Sequence, residues 1–344
     1  GSLQEAVNIV NMFVPKGITL VKTVGKMERA NKEYKTTVEP IDTLMPIVVL
    51  VNDETASASE ITSGSLQDLD RAVVLGTRTY GKGLVQVSMD LPYNANLKLT
   101  SSKYYIPSGR CIQAINYKHA NGGYTEHVPD SLTHVFHTAN GREVRDGGGI
   151  KPDVEVRPDS LPNIAFYLAS SGRDSTEVMW NWELQYLKKH PTIGPAKTFV
   201  ISDADFEDFK QAVLKSGFKY DRESKKYLEN LVKLAKFEGY YDDAKGEFDA
   251  LEKKLNHNLA KDLDYNMQTL KKVLTSDLVS AYYYQKGSLE NSLQFDKQWK
   301  KAVEILKNPS EYKKLLQPVV VQPLVKLEPA SNVAVDKKQK SKAK

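Results

Sequence analysis

The chain has 344 residues, a formal charge of +5, 40% apolar residues and a single cysteine, Cys111. That length allows a sizeable core and about two domains, one cysteine excludes an internal disulfide framework, and no apolar run approaches the ~20 residues that a membrane-spanning helix needs. The charge does not mark a nucleic-acid surface: residues 317–344 hold six lysines against Glu328 and Asp336, a net of +4 that leaves +1 for the other 316 residues, and no basic stripe interleaved with aromatics runs through the body.

Leu3, Ala6, Val7, Val10 and Phe13 recur at helical spacing, which predicts an amphipathic helix over 3–13 stopped near Pro15-Lys16-Gly17. "GITLVKTVG" reads as a strand. After a polar stretch, "MPIVVLV" (45–51) is a continuous β-branched run, the pattern of a strand buried on both faces, and it ends at Asn52-Asp53-Glu54. A helix follows over 57–69, its hydroxyl residues supplying caps for the first backbone N–H groups. "AVVLGT" (72–77) is a second buried strand; "LVQVSMDL" (84–91) and "LKLTSSKYYIP" (97–107) are longer strands joined by a turn at Pro92-Tyr93-Asn94. Strand, helix, strand in this order predicts a crossover unit with a partly parallel sheet, hence an α/β class.

Residues 115–146, rich in Asn, Gly and His, read as a surface hairpin or loop. "VRDGGGIKPDVEVRP" then reads as a tight return to the core. From 163 the pattern turns helical, and the segment "LAKDLDYNMQTLKKVLTSDLVSAYYYQKG" reads as one long helix with Leu259, Leu263, Leu270, Leu274 and Leu278 at three- and four-residue spacing. The chain therefore divides into an α/β region 1–162, a mostly helical region 163–316 and a Lys-rich flexible tail 317–344.

A serine hydrolase needs an exposed hydroxyl, a base within reach and backbone N–H donors where the oxyanion forms. Ser57 stands where a strand has ended and a helix begins, so the Ala58 N–H and the positive end of the helix dipole face an atom bonded to its Oγ. The place suits a nucleophile and a capping serine equally. All six histidines lie far downstream, four of them (119, 127, 134, 137) in the insertion. Lys82 is the better-placed base: Gly81 and Gly83 let the chain bend sharply around it, and the absence of acidic residues from Arg78 to Val87 favours the neutral amine that a base requires. If 82–86 is extended, Gln86 shares a face with Lys82 and can orient the amine without adding charge. On spacing alone an N-cap serine and a solvated turn lysine remain an equally complete reading, and Ser59, Ser63 and Ser65 compete for the role of nucleophile.

The run "TASASEI" followed by "LQDLDRAVVLGTRTYGKGLVQ" resembles the C-terminal processing (tail-specific) peptidases, the Ser-Lys endopeptidases of family S41. The resemblance implies that the middle serine of the small-residue run, Ser57, is the nucleophile and that the lysine 25 positions later, Lys82, is the general base. Gln86 matches the glutamine that orients the lysine. Ala58 N–H would form half of the oxyanion hole, and the other half would come from a glycine pair just ahead of a helix like that at 3–13, with Gly1 either the second of that pair or foreign to the native chain. "YYIPSGRCIQ" and "GGGIKPDVEV" resemble later strands of the family, and "AYYYQKG" is similar to the helical extension of homologues from Bacteroidetes-like bacteria.

The implied fold is α/β, a crotonase/ClpP-like partly parallel sheet with helices followed by a mostly α-helical C-terminal region. The implied chemistry is peptide-bond hydrolysis through an acyl-enzyme with no metal or cofactor, on protein or peptide substrates with flexible apolar C-termini, in the periplasm or cell envelope. No nucleic acid is expected, and the helical region is expected to make a homo-oligomeric or adaptor contact. The family's PDZ domain, its signal or anchor and the first strand of its core have no counterpart here, so the chain reads as a C-terminal fragment. Two rival readings are a non-catalytic tail-binding relative and a crotonase-like acyl-CoA enzyme. A weaker idea is a metal site from His134 and His137 with His127 or Glu126.

Overall fold

A computed structural model describes residues 1–114, 129–170, 176–255 and 258–318. The first helix, α1 (Leu3–Asn11), forms where its apolar spacing predicts and buries Ala6, Val7 and Val10, with Ser2 Oγ accepting the Glu5 N–H at its start. After it come β1 (Thr19–Gly25) and β2 (Lys32–Lys35), which pair antiparallel. The second of these falls in the polar stretch that carries no strand signal in the sequence. Its residues, Lys-Glu-Tyr-Lys, are mostly exposed, so no apolar alternation announces them.

The expected crossover unit is present. Strand β3 (Val48–Val51), helix α2 (Ala58–Asp68) and strand β4 (Val73–Gly76) form a parallel β-α-β unit, Val48 pairing with Val73 and Val51 with Gly76. Strands β5 (Leu84–Leu91) and β6 (Ala95–Tyr105) make a long hairpin, turned by Tyr93 (φ 64°) and Asn94 (φ 56°). Short strands β7 (Val135–His137) and β8 (Glu143–Arg145) form a second hairpin within the segment read as a surface insertion, whose residues 115–128 lie outside the described ones. Strand β9 (Val154–Glu155) ends the triple-glycine return and adds parallel to β4.

Among the described residues these strands build two principal sheets: an antiparallel one in the order β2-β1-β6-β5 and a parallel one in the order β3-β4-β9. The strand read at 45–51 is confined to Val48–Val51 and is not buried on both faces, Leu50 being 40% exposed, because β3 lies at the edge of its sheet. The neighbouring β4, in the middle, is buried at all four positions.

The helical part opens with α3 (Asn163–Ala169), α4 (Val178–Lys189) and α5 (Asp203–Ser216). Helices α6 (Glu223–Glu238) and α7 (Lys245–Leu255) pack on each other, and α8 (Leu259–Tyr265) and α9 (Met267–Ser292) complete a core around Trp182, Phe209, Leu270 and Leu274. The long helix expected from residue 259 onward is broken. Asn258 caps α8, Asn266 separates α8 from α9, and Tyr284 leaves helical geometry at φ 56° inside α9. Apolar periodicity passes through such breaks unaltered, because it reports which side is buried and not where the backbone bends.

The last two helices, α10 (Lys297–Lys307) and α11 (Pro309–Leu315), return to the α/β region. Ala302, Ile305 and Tyr312 pack against Val73 and Leu75 of β4, and the Tyr312 hydroxyl accepts from Ile47 N–H (3.0 Å) and donates to Ile47 C=O (3.1 Å). The parallel sheet thus has α1 and α2 on one side and α10 and α11 on the other, which is why β4 reads as an unbroken apolar run.

The far end of α2 is fixed by a buried ion pair. Asp68 Oδ1 lies 2.8 Å from Arg110 Nη2, both side chains almost wholly inaccessible, and the Asp68 Oδ2 accepts the Ser108 N–H. Burial pushes the Asp68 carboxyl up, against the opposing pull of Arg110. Arg110→Ala would leave that carboxylate alone in the interior, and it is expected to cost about 3–5 kcal/mol, read as a lower urea midpoint with an unchanged slope.

Candidate active site

Ser57 occupies the N-cap of α2 with φ 57° and ψ −118°, a conformation that L-residues adopt at a cost of about 1–3 kcal/mol. The surroundings hold it there. Glu60, one turn into α2 and 0% exposed, accepts the Ser57 N–H on Oε2 at 2.9 Å. The same oxygen accepts the Lys82 N–H at 2.8 Å, while Oε1 accepts from Thr79 Oγ1 at 2.6 Å and from Gly81 N–H at 2.7 Å. One buried carboxylate therefore joins two turns that lie 25 residues apart in the chain.

Tyr104, on β6 and 2% exposed, makes a second link between them. Its hydroxyl donates to Lys82 C=O (2.9 Å) and to Ser57 C=O (3.3 Å), and burial pushes this phenol well above its ordinary value. The Lys82 turn itself depends on Gly81, whose φ is +85° and where a Cβ would come within 2.3 Å of Ala114 Cβ. The close approach to other backbone expected of this glycine-flanked turn is what the structure contains.

Ser57, Ala58, Lys82, Gln86 and Gly1 all line one cavity of about 300 Å³. Gly1 reaches Ala58 closely enough that a Cβ on it would lie 2.9 Å from the alanine Cβ. Ser57 Oγ and Lys82 Nζ make no direct hydrogen bond to each other, and no carboxylate pairs with Lys82 Nζ among the described residues. The competing hydroxyls are elsewhere: Ser63 Oγ donates to Ser59 C=O, Ser65 is fully buried in α2, and none of Ser59, Ser63 and Ser65 lines the cavity.

Gln86 does not reach the cavity by simple strand alternation with Lys82. Regular strand begins only at Leu84, and a bulge interrupts the β5 ladder between Val85 and Gln86, so that Leu84, Val85 and Gln86 in succession reach the cavity. A bulge re-aims side chains in this way. Lys98 and Tyr104, which the sequence does not single out, line the same space. Glu60 is also missed by a search for nucleophile and base. Its signal is the Ser-x-x-Glu spacing of a capping box, Ser57 to Glu60.

Among the described residues no three His, Cys, Asp or Glu side chains converge as metal ligands. His134 Nδ1 instead lies 3.0 Å from Asp146 Oδ2, while His127 and Glu126 fall outside the described residues. Cys111 is half-buried, and burial pushes its thiol up, away from the reactive thiolate. No helix of the described residues is long and apolar enough to cross a membrane.

With this geometry in place, the comparisons fix the class. Residues 1–119 match the Peptidase family S41 model, which is a family of serine-type peptidases. Residues 166–306 match the model described as "Probable PDZ-protease, C-terminal helical domain". The chain is thus similar, in succession, to an S41 peptidase segment and to the C-terminal helical domain of a probable PDZ-protease.

Among curated relatives, a carboxy-terminal-processing protease of Bartonella bacilliformis is 40% identical over 115 residues, 33% of this chain and 26% of the relative. A probable CtpA-like serine protease of Staphylococcus aureus is 30% identical over 243 residues, 68% of this chain and 36% of the relative. A solved photosystem II D1 C-terminal processing protease aligns with a TM-score of 0.32 at 29% identity, covering 47% of this chain and 33% of that one. The chain spans about a quarter to a third of the length of the curated relatives it matches.

Proposed function

We propose that this chain carries the nucleophile and base of a serine endopeptidase that processes proteins near their C-termini. The observation that carries the reading is the Glu60 carboxylate, which holds the Ser57 and Lys82 turns together at a single cavity. In the proposed reaction, neutral Lys82 takes the Ser57 proton as Oγ attacks the peptide carbonyl. Ala58 N–H and Gly1 N–H stabilise the oxyanion. The lysine returns the proton to the leaving amine, and a water then releases the acyl group from Ser57 with Lys82 again as base. Gln86 orients the amine.

β5 supports this reading on the substrate side. Among the described residues it is an edge strand whose first residues line the cavity, so the backbone on its open side can offer an extended peptide a ladder leading to Ser57. That binding mode suits flexible chain ends more than folded surfaces. The name of the Bartonella bacilliformis relative, carboxy-terminal-processing protease, agrees with a substrate of this kind, and the cell envelope is the proposed place of action.

Fluorophosphonate labelling of the chain followed by peptide mass spectrometry tests the assignment. The label is expected on Ser57, absent in Ser57→Ala and strongly reduced in Lys82→Ala. Labelling on another serine, or equal labelling of the Lys82 variant, defeats it.

A further inference from the structure

The helical region contains a second and larger hollow, away from Ser57. It lies between α3, α4 and α9 and has a volume of about 710 Å³. Leu184, Leu187 and Leu278 contribute apolar wall, and Trp180 lies beside them. The ionisable groups that line it are Glu177, Glu183 and Asp277, all acidic; no lysine, arginine or histidine does so among the described residues.

Glu183 on α4 is only 8% exposed, and its Oε1 has no hydrogen-bond partner. The charged group that acts on it is Asp277, across the cavity wall on α9. Burial first, and the Asp277 charge second, push the Glu183 carboxyl up to about 8, and burial pushes Asp277 up as well. Near neutral pH the pair therefore retains a proton. Glu183 is buried beside the more exposed Asp277, the two carboxyls hydrogen-bond to each other, and no basic side chain among the described residues lines the cavity, so ionising both lowers stability unless a cation joins them.

We propose that this cavity binds an alkylammonium or alkylguanidinium group, its charged head taking the place of the proton that Glu183 and Asp277 share and its aliphatic stem along Leu184, Leu187 and Leu278. A hard metal ion is a poorer occupant, because calcium needs six to eight oxygen ligands and these walls are largely apolar. A long cationic side chain has the matching division into an apolar stem and a charged head, and Trp180 adds an aromatic face at the cavity. The same chemistry is available from a free amine or guanidine and from a lysine or arginine of a polypeptide.

The test uses the whole chain, titrated with n-butylguanidinium and n-butylammonium while tryptophan fluorescence and binding heat are followed. Saturable binding is expected, with release of about one proton per ligand at pH 7 and affinity rising at least tenfold between pH 6 and 8.5. Asp277→Asn and Glu183→Gln are each expected to weaken binding at least about tenfold.

Both variants should fold, and the sign of their effect is set by linkage. The folded carboxyl titrates above its unfolded value, so the native state holds a proton that the unfolded chain has lost, and wild-type stability falls as pH rises from about 4.5 towards 8. Glu183→Gln should accordingly match wild type near pH 5 and melt about 5 °C or more above it at pH 8.5. A lysine- or arginine-bearing peptide that binds at least tenfold tighter than the free cation identifies a polypeptide ligand; equal binding identifies a small one. No saturable response up to about 10 mM, equal binding of neutral n-pentanol, or unchanged affinity in both variants overturns the proposal.

Discussion

Lys82→Ala is expected to lower peptide hydrolysis by about a thousandfold or more while moving the thermal midpoint by no more than a few degrees. A positioned general base contributes about 10²–10⁴ in rate, and this lysine is also the proposed acid for the leaving amine. Its side-chain nitrogen has no ion-pair partner among the described residues, and its fixed contacts run through backbone groups that alanine retains: N–H to Glu60, C=O to the Tyr104 hydroxyl. Lys82→Arg is expected to be as inactive, because a guanidinium stays protonated at every accessible pH. Ser57→Ala should show the same loss, and the double variant no further one, because the two groups act as a unit. A Lys82→Ala protein that hydrolyses peptides at the wild-type rate would falsify the base assignment.

The second large effect is expected at Glu60. Its carboxylate satisfies four donors in a fully buried place: the N–H groups of Ser57, Gly81 and Lys82 and the hydroxyl of Thr79. Glu60→Ala abandons all four, and each unsatisfied buried donor costs about 1–3 kcal/mol, so a loss of roughly 4 kcal/mol or more is expected even after partial relaxation. Glu60→Gln keeps one acceptor oxygen and turns an amide N–H₂ towards donors, so it should be damaging as well, by about 2–4 kcal/mol. The strained φ of Ser57 rests on the same carboxylate. Both variants should therefore lose fluorophosphonate labelling at temperatures where circular dichroism still reports a folded chain. A Glu60→Ala protein with wild-type stability and labelling would show that the two turns are held by something else, Tyr104 being the first candidate.

Several elements were legible from residue order because local physics dominates them. The 3–13 helix and the β4 strand carry an apolar pattern that matches their burial, and the crossover helix is announced by the hydroxyl cap at Ser57 although most of the side chains it buries are polar. The turn at Pro92-Tyr93-Asn94 was legible too, although nothing there announced that tyrosine as well as asparagine would adopt a positive φ. Other features were hidden for identifiable reasons. β2 is a strand of exposed charged residues held only by its neighbour β1, so composition offers no trace of it. The exposure of Leu50 depends on which strands flank β3, and the breaks at Asn266 and Tyr284 leave apolar spacing intact.

Sequence order determined the residue types available for chemistry: a serine at a helix start, a lysine between two glycines, and a capping-box glutamate three residues after the serine. It also determined that the chain is α/β first and helical afterwards. Only the tertiary structure decided that one carboxylate would gather both turns, that α10 and α11 would close the second face of the parallel sheet, and that Glu183 would meet Asp277. The reason is physical. Local propensities and caps act over a few residues, whereas satisfying a buried charge requires partners that approach only once the chain has packed.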